Sequence, residues 1–401
     1  MSQKKLIIDN NCCGCYACLD ICPQKCITMK EDEEGFNYPS INNTKCIECG
    51  KCVSTCPNTN IELSSRLPYS TYAAIANNDS IHKSGSSGGV FSLLADYIIK
   101  NGGKVWGAAF DSNLQLKHTS AVEKEDISKL CRSKYIQSSL QGVYKAIKLD
   151  LSNNVFTLFV GTPCQCSALR NFLKKEYSNL LIVDFVCHGV PSQSLFNSSL
   201  KWFEKKKNCT VTDFVFRHKS DKGKHLHAYK IEYTKKGKKR KTEGLHYDFP
   251  YYFGFQKYVT LRPSCYTCKY TSGKRCGDLT LGDFWGIEKH WEGINAHKGV
   301  SMILSNTDKG ENIINKLAPK LQMKEIPFDI AQRYNTCLNS PAPKKAERDL
   351  FFKALKTETF DRVVDLYLRP KRKWVFKVYY MLPTMLRRIV RKRMEGKMKY
   401  E

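Results

Sequence analysis

The sequence predicts an α+β or α/β chain with a small cysteine-rich N-terminal domain, a larger mixed α/β domain and a basic helical C-terminal tail. Two dense cysteine runs mark the first domain. Beyond them, short apolar runs alternate with glycine- or proline-containing loops and helical stretches. This alternation of predicted strands and helices is typical of α/β domains. Lysine and arginine dominate the end of the chain. For a length of 401 residues we therefore predict domains at 1–65, 66–345 and 346–401.

The two cysteine runs repeat one spacing, C-x2-C-x2-C-x3-C-P. This is the ligand run of two-cluster bacterial ferredoxins, in which the fourth cysteine of each run ligates the other cluster. The sequence therefore predicts a ferredoxin-like domain with two 4Fe–4S clusters. One cluster is assigned to Cys12, Cys15, Cys18 and Cys56, and the other to Cys46, Cys49, Cys52 and Cys22.

Two other interpretations of the cysteine runs are weaker. C-x2-C is also a zinc spacing, but a pair of zinc sites leaves the repeated fourth cysteine and the proline after it unexplained. A disulfide framework is the other alternative. Cys13 and Cys26 lie outside the repeated pattern, and we interpret them as small apolar residues near the clusters.

Charge and composition restrict the partners and the compartment. The chain has 65 Lys and Arg residues against 38 Asp and Glu residues, a formal net charge of +27, so we expect an acidic partner. Thiolate-bound clusters and the lack of an apolar leader segment predict a reducing, cytoplasmic location. No run of about 18 apolar residues is present, so no membrane-spanning helix is expected.

A loop of small residues precedes a predicted helix early in the large domain. The loop runs from Ser84 to Gly89, and the stretch 90–99 after it has helical periodicity. Backbone N–H groups and the helix dipole favour a phosphate at such a helix start, and the hydroxyls of Ser84, Ser86 and Ser87 add donors. A flexible loop with a serine cap explains the same residues.

Two apolar runs further on, Val155–Val160 and Leu181–Val186, are typical of buried parallel strands. Each ends in a loop that contains cysteine, 161–166 and 187–192. Ligands of open α/β sheets bind beyond the carboxyl ends of the strands, so we expect both loops at the binding site. His188 in the second loop is a candidate proton donor there, with a structural role as the alternative.

Three further cysteines, Cys265, Cys268 and Cys276, follow in a short segment. With Cys164 they make four thiols, and we predict a third 4Fe–4S cluster on these four residues. Buried thiols or a zinc site are the alternatives, because C-x2-C occurs in both kinds of metal centre. Cys187 is the alternative to Cys164 as the fourth ligand.

Lysine-rich segments between residues 201 and 245 alternate with strand-like pieces and predict basic hairpins. A solvated face is the default explanation of such charge, and a docking surface for acidic partners is the alternative.

The C-terminal tail places apolar residues on one helical face and arginine and lysine on the other, interrupted by Pro383. This pattern predicts contact with an anionic membrane surface, at the inner face of the cell membrane. A helix that docks on a domain or partner is the alternative. Nucleic acid is the least favoured partner, because no nucleic-acid motif accompanies the charge.

Together, these motifs resemble the beta-subunit family of coenzyme F-420 hydrogenases and dehydrogenases, in the form with a fused two-cluster ferredoxin domain. The resemblance covers roughly residues 1–300, in the same order. The matching segments are 86–89 (SSGG), 133–138 (SKYIQS), 161–165 (GTPCQ), 187–192 (CHGVPS), Cys265-x2-Cys268 and 282–286 (GDFWG).

The resemblance implies an iron–sulfur flavoprotein that binds FAD and holds at least one further cluster in the large domain. It implies FAD contacts from the 84–89 loop and the 133–138 segment, and it places the 161–165 loop beside the flavin ring and the cluster. The residues that it assigns to the cofactor are Ser84, Ser86, Ser87, Gly88, Gly89, Ser133, Lys134, Tyr135, Gln137, Gly161, Thr162, Gln165 and Asp283. Lys134 is further predicted to stabilise a reduced anionic flavin or the phosphates.

The predicted function is that of an oxidoreductase. Electrons would pass between the clusters, FAD and a hydride-accepting or hydride-donating substrate, a coenzyme F-420-like deazaflavin or another organic compound. The resemblance also implies a link to surface-polysaccharide synthesis, because some similar bacterial proteins look like accessories of that process. The expected partner is a redox protein or a hydride carrier. Two alternatives are an electron-transfer subunit with no substrate of its own, and a basic lipid- or nucleic-acid-binding protein with structural clusters.

Overall fold

The computed structural model describes residues 6, 8–61, 67–219, 227–371, 374–375, 378 and 382. Both helices of the N-terminal domain begin inside a cysteine run, directly after a residue with positive φ, Tyr16 at 69° and Gly50 at 68°. The repeat in the sequence is therefore also a repeat in the backbone. The elements of this domain are α1 (Ala17–Ile21), β1 (Ile27–Glu31), β2 (Asn37–Ile41) and α2 (Lys51–Thr55).

The strands of the large domain form two sheets. They are β3 (Ser70–Ala76), β4 (Lys104–Phe110), β5 (Leu116–Ala121), β6 (Thr157–Gly161), β7 (Leu180–Phe185), β8 (Thr210–Phe216), β9 (Ala228–Lys235), β10 (Lys238–Leu245), β11 (Leu279–Asp283), β12 (Ser301–Ser305) and β13 (Leu321–Glu325). One sheet is mixed and has eight strands in the order β13-β3-β12-β11-β7-β6-β4-β5, and the other is β10-β9-β8. The predicted fold class, a ferredoxin-like domain followed by a mixed α/β domain, is confirmed.

Helices connect and cover these strands. They are α3 (Asp79–Ser84), α4 (Val90–Lys100), α5 (Ile127–Leu130), α6 (Val143–Ser152), α7 (Pro163–Leu173), α8 (Gln193–Lys207), α9 (Pro250–Gln256), α10 (Asp308–Leu317), α11 (Phe328–Tyr334), α12 (Glu347–Thr357) and α13 (Phe360–Tyr367). Among the residues that the structure describes, no helix combines the length and the apolar character required to cross a bilayer.

The centre of the large sheet is parallel, and this positions the two cysteine-containing loops. β6 pairs with β7 from Thr157↔Leu180 to Gly161↔Asp184, and β11 pairs with β7 in the same direction. The apolar runs predicted to be buried strands are β6 and β7, whose side chains are largely buried. Because parallel strands end at the same edge, the 161–166 and 187–192 loops leave the sheet side by side.

The lysine-rich segment forms the antiparallel β8–β10 sheet, which is apolar on one side and basic on the other. Its inner face contributes Phe214 and Phe216 to an aromatic core, and residues 238–241 on the edge strand are exposed. α12 and α13, inside the range predicted as the tail, pack on this core through Phe351 and Val363. Pro383 and all the basic residues after Lys371 lie outside the described residues, so the membrane-surface contact stays a prediction.

Candidate functional site

The N-terminal domain crosses its two cysteine runs. Cys12, Cys15 and Cys18 all lie within electrostatic range of Cys56 from the second run. Cys22 from the first run lies within electrostatic range of Cys52 from the second run. The fold therefore brings the fourth cysteine of each run to the other run, which is the arrangement that two shared cubane clusters require.

The two cysteine groups differ in their distance from solvent. Cys15 and Cys18 are buried, and α1 packs on the large domain, where the Asp20 carboxylate accepts hydrogen bonds from the backbone of Gly142 over 2.8 Å and Tyr144 over 3.2 Å. Cys49, by contrast, is exposed. The first-run group therefore faces the large domain, and the second-run loop faces solvent.

A cavity of about 310 Å³ lies at the carboxyl edge of the large sheet, next to the N-terminal domain. The cysteines that line it are Cys13, Cys164, Cys187, Cys265 and Cys268. Cys187 lies within electrostatic range of the other three large-domain thiols. The predicted cofactor and catalytic residues that also line the cavity are Gln137, Thr162, Gln165 and His188.

Local hydrogen bonds position the loop that contains Cys164. α7 begins at Pro163, and the side chain of Gln165 folds back so that its Oε1 accepts a hydrogen bond from the Thr162 N–H over 2.9 Å. The Gln165 Nε2 group donates to Ser138 Oγ over 3.2 Å. This capping arrangement places Cys164 in the first turn of α7, directly beyond β6.

The loop that contains Cys187 meets the turn that contains Cys265. The Arg262 N–H donates to the Val190 carbonyl over 2.9 Å, at the start of the 3₁₀ turn Pro263–Thr267. Gly189 has φ +97°, and a Cβ atom there would lie 3.0 Å from the Cys265 Cβ. Only glycine allows the two cysteine-bearing segments to approach this closely.

Cys276, one of the four predicted ligands of the third cluster, does not line this cavity, whereas Cys164 and Cys187, which the sequence offered as alternatives, both line it. Its thiol donates a hydrogen bond to the Pro163 carbonyl over 3.0 Å and lies 3.4 Å from an Asp184 carboxylate oxygen. Asp184 is itself bound to Arg275, with an N–O distance of 2.7 Å between two fully buried side chains. The ion pair therefore holds the Cys276 thiol against polar protein groups. Because Cys187 lines the cavity and Cys276 does not, the structure favours Cys187 over Cys276 as a ligand of the third cluster.

The cavity thiols are neutral in the absence of a metal. Burial raises the pKa of Cys265 to about 12 and that of Cys268 to about 11. The pKa of Cys164 is raised well above its ordinary value by a hydrogen bond with Cys13 and by burial. Metal binding at this cavity therefore releases protons, as at other thiolate sites.

The large domain holds the first cysteine run against the cavity. The Gln137 Nε2 group donates to the carbonyl oxygen of Cys13 over 2.9 Å and to that of Gly14 over 3.1 Å. Arg262 donates to Gln137 Oε1 over 2.9 Å. These contacts, with the hydrogen bond between Cys13 and Cys164, join the first-run cysteines to the cavity cysteines.

The predicted glycine–serine loop, residues 84–89, lies between α3 and α4. Gly88 is required because a Cβ atom there would lie 2.1 Å from the Ala74 carbonyl oxygen. The Ser86 Oγ atom accepts a hydrogen bond from the Ser133 N–H over 2.7 Å. The structure thus brings together the glycine–serine loop and the 133–138 segment, which are distant in the sequence.

Three cations bind the backbone of this loop. The contacts are Arg132 Nε to the Ser84 carbonyl at 3.1 Å, Arg217 Nη2 to the Ser86 carbonyl at 3.1 Å and Lys219 Nζ to the Ser87 carbonyl at 2.5 Å. Burial lowers the pKa of Lys219 to about 7.

Arg217 is the centre of a cluster of polar side chains next to the glycine–serine loop. Its guanidinium binds both carboxylate oxygens of Asp283, over 2.7 and 3.0 Å, and donates to the Tyr135 hydroxyl over 3.3 Å. Burial opposes ionisation of Asp283, but the Arg217 charge holds its pKa below the ordinary value. The predicted cofactor residues Ser86, Tyr135 and Asp283 therefore gather around one arginine.

The two residues predicted to be catalytic have different surroundings. Lys134 Nζ donates to the carbonyl oxygens of Lys129, Cys131 and Arg132, over 3.0, 2.6 and 3.3 Å, so it closes the end of α5. His188 lines the cavity, with Nδ1 3.3 Å from Cys337 Sγ, and burial lowers its pKa. Of the two, only His188 faces the candidate site.

Sequence reasoning missed Arg217, Lys219 and Arg262, and it undervalued Cys13. Arg217 directly follows Phe216, the last residue of β8, and Lys219 comes two residues later, so their position at a strand end was the available signal. Arg262 and Cys13 had no comparable signal, because their contacts join segments that are far apart in the chain.

Comparisons with known proteins match two separate parts of the chain. A family model described as the C terminus of the beta subunit of coenzyme F-420 hydrogenase/dehydrogenase matches residues 156–329, and a 4Fe–4S dicluster domain model matches residues 11–60. No curated protein matches the chain. A solved chain of the F-420-reducing NiFe hydrogenase complex from Methanosarcina barkeri is 19% identical, with a TM-score of 0.43, over 75% of this chain and 89% of that chain.

The two matched ranges contain all the cysteines of the N-terminal runs and the four large-domain cysteines of the cavity. These matches identify the protein as an iron–sulfur electron-transfer protein that is similar to oxidoreductase subunits. The chain therefore combines a segment that matches the C terminus of the coenzyme F-420 hydrogenase/dehydrogenase beta subunit with an N-terminal 4Fe–4S dicluster domain.

Proposed function

We propose that this chain is an FAD- and iron–sulfur-dependent oxidoreductase that exchanges electrons with a partner protein and hydride with an organic carrier of the coenzyme F-420 type. The observation that supports the proposal most directly is the thiol-lined cavity between the two domains. Residues of the first cysteine run, of the large-domain loops and of the predicted FAD site all line this one cavity.

In this proposal the third 4Fe–4S cluster is held by Cys164, Cys187, Cys265 and Cys268. A cubane needs four thiolates that converge on one space, and these four residues line the same cavity. Cys187 replaces Cys276 of the sequence prediction, since the Cys276 thiol is already used as a donor to the Pro163 carbonyl. The cavity fits a 4Fe–4S cluster in the number and type of its ligands, which are four cysteine thiols.

The residues around the glycine–serine loop fit the anionic part of FAD. α4 is an 11-residue helix, and its N-terminus directly follows the loop. Arg132, Arg217 and Lys219 add positive charge beside the N–H groups of that terminus, which suits a pyrophosphate. The Arg217 Nε atom is buried and has no hydrogen-bond partner among the described residues, so it is available as a further donor.

An aromatic wall next to Arg217 fits the flavin ring. His227 and Trp285 stack with ring centroids 5.7 Å apart and an interplanar angle of 19°. The Arg217 guanidinium lies 5.8 Å from the centre of the Trp285 ring. Burial lowers the pKa of His227 to about 3, so this wall is neutral at physiological pH. It offers an apolar surface within reach of the cationic group.

The chemistry requires both kinds of cofactor. When bound, 4Fe–4S clusters exchange single electrons and a flavin exchanges one electron or a hydride, which couples a one-electron partner to a two-electron substrate. The residues of this chain supply positions and protons. Arg262 and Gln137 hold the first-run loop at the cavity, and Asp283 orients Arg217. His188, whose pKa is lowered by burial, lines the cavity as the candidate proton donor.

The proposal is tested with anaerobically prepared protein that contains its clusters and flavin. The protein is reduced with dithionite, freed of excess reductant and mixed with oxidised coenzyme F-420, whose absorbance reports its reduction. We expect the isolated chain to reduce the deazaflavin. If the loaded protein passes electrons only to another protein, it is an electron-transfer subunit without a substrate. If it binds no flavin, the proposal is wrong.

A further inference from the structure

Three acidic side chains of the N-terminal domain, Asp20, Glu33 and Glu34, contact the large domain. Glu34 forms an ion pair with Arg348, whose Nη1 lies 3.0 Å from Glu34 Oε1, and Glu33 pairs with Lys356. Asp20 accepts two backbone hydrogen bonds from the start of α6. Through these contacts, carboxylates of the N-terminal domain attach it to basic side chains and backbone N–H groups of the large domain.

The loop of the second cysteine run has the opposite charge and is open to solvent. Cys49 is exposed, and the neighbouring Ile47 has 60% of its surface exposed. The lysines that surround this loop, all exposed, are Lys25, Lys45 and Lys51. Glu48 is the single acidic residue between Asn42 and Cys56. The surface therefore consists of an exposed apolar residue, an exposed thiol and an excess of exposed lysines over acidic residues.

Lys25 belongs to the same surface although it comes from the first run. Cys26 lies within electrostatic range of Cys46, and the Asn42 N–H donates to the Cys26 carbonyl over 2.8 Å. The 23–26 turn is therefore packed against the start of the second-run loop. Three exposed lysines from two segments therefore lie in the same part of the N-terminal domain as the exposed Cys49.

We propose that this surface, formed by Lys25, Lys45, Ile47, Cys49 and Lys51, is the docking site of a small acidic ferredoxin. The inference rests on the proposed function, because it requires a redox centre on the second run. A carrier must approach its redox partner closely, and the second-run loop is the exposed edge of the N-terminal cysteine groups. One electron leaves the reduced ferredoxin, which becomes oxidised. The cluster predicted on Cys46, Cys49, Cys52 and Cys22 gains that electron.

The chemistry of the surface favours an acidic protein over other partners. An exposed isoleucine together with several exposed lysines is typical of the surface of a transient protein–protein contact. In such contacts charge complementarity sets the rate at which the partners meet. The net charge of +27 on the chain attracts the same class of partner over longer distances. The experiment therefore has to separate the local surface from the overall charge.

The test uses stopped-flow mixing of the cofactor-loaded protein with a reduced, acidic two-cluster ferredoxin at several salt concentrations. The variant is Lys45→Glu with Lys51→Glu, and the matched control is Lys239→Glu with Lys241→Glu on the exposed β10 edge, which changes the net charge equally. We expect the first variant to react about tenfold or more slowly at low salt, with a weaker salt dependence. We expect the control to stay within about threefold of the wild-type rate.

Several results overturn the inference. A second-run variant that reacts at the wild-type rate, or a β10 control that slows as much, shows that the ferredoxin does not dock at this loop. A rate that does not fall with salt shows that charge does not guide the encounter. If the double variant loses iron, Lys25→Glu, which lies outside the second run, replaces it with the same expected direction.

Dithionite separates this inference from the proposed function. Reduction of all variants by dithionite at one common rate, with the ferredoxin rate changed only in the second-run variant, supports the docking surface. Protein that lacks iron, or that dithionite does not bleach, contradicts the proposed function itself. Full bleaching by dithionite without any reaction with the acidic ferredoxin contradicts only the docking surface.

Discussion

Arg262 of the large domain donates a hydrogen bond from Nε to the carbonyl oxygen of Cys12, the first predicted cluster ligand of the N-terminal runs, over 2.6 Å. Its two other nitrogens donate to Gln137 Oε1 over 2.9 Å and to the Asn37 carbonyl over 3.0 Å. The guanidinium is fully buried and lies 4.2 Å from the centre of the Tyr38 ring. One arginine therefore holds the first cysteine run at the thiol-lined cavity.

Replacing Arg262 by Met should lower the stability of the assembled protein. The substitution leaves the Cys12 and Asn37 carbonyls without their donor, and each hydrogen bond to a charged group contributes about 1.5–3 kcal/mol. Anaerobic thermal unfolding measures the effect, which we expect to be a fall of several degrees in Tm. Arg333→Met is the control, because Arg333 is exposed and its nearest carboxylate oxygen, of Asp329, is 3.6 Å away. Equal Tm values for the two variants would show that Arg262 does not hold the domains.

The ligand set of the third cluster is tested by a pair of alanine substitutions. Cys187→Ala should remove about four irons per chain, because Cys187 lines the cavity with three other thiols. Cys276→Ala should keep its iron, because Cys276 lies against the Pro163 carbonyl. Iron and sulfide analysis with EPR of the reduced protein distinguishes the two. The reverse pattern would restore the ligand set that the spacing alone predicted.

Arg217 and Lys134 should differ in their effect on flavin binding. Arg217→Met removes a guanidinium beside the glycine–serine loop, and we expect the FAD dissociation constant to rise by about 10-fold or more. Lys134→Met should leave that constant nearly unchanged and lower Tm, because its Nζ binds only backbone carbonyls in the described structure. Flavin fluorescence measures both. A variant at Lys134 that loses FAD would support the role that the sequence resemblance implied.

Flavin affinity should depend on pH through Lys219. Burial lowers the pKa of Lys219 to about 7, and a nearby phosphate favours the protonated amine. Above about pH 7 the free protein has lost this proton and binding must take it up, so FAD affinity should fall by up to about tenfold per pH unit. Below pH 7 the free amine is already charged and the affinity should level off.

The control for this pH dependence is a pair of lysine variants. Lys219→Met should bind FAD more weakly at pH 6.5 and show a flat profile up to pH 9, whereas Lys239→Met, at an exposed position, should keep the wild-type profile. Titrations of FAD at several pH values supply the dissociation constants. A wild-type profile for Lys219→Met would exclude Lys219 from the phosphate site.

Local patterns predicted the parts of the fold in which one segment determines its own structure. The apolar runs before Gly161 and Cys187 are β6 and β7, because strands buried on both faces are continuously apolar. The glycine–serine loop precedes a helix, α4, as its periodicity predicted. The position of two cysteine loops at one sheet edge followed from the parallel direction of these strands.

The choice of the fourth large-domain ligand could not be made from spacing. Cys276 is close to Cys268 in the chain, but the buried pair of Arg275 and Asp184 turns this segment towards α7. Cys187 is far from Cys265 in sequence and meets it only because Gly189 permits the approach. The strand order, with β3 between β12 and β13, is likewise a long-range pairing that no local pattern specifies.

The most direct test of the account is the iron, sulfide and flavin content of anaerobically purified protein, with visible spectra before and after dithionite. Three 4Fe–4S clusters and one flavin predict about twelve irons, about twelve sulfides and one FAD per chain, with bleaching of both chromophores. About eight irons without flavin would leave only the N-terminal clusters, and would contradict the cofactor sites assigned to the large domain.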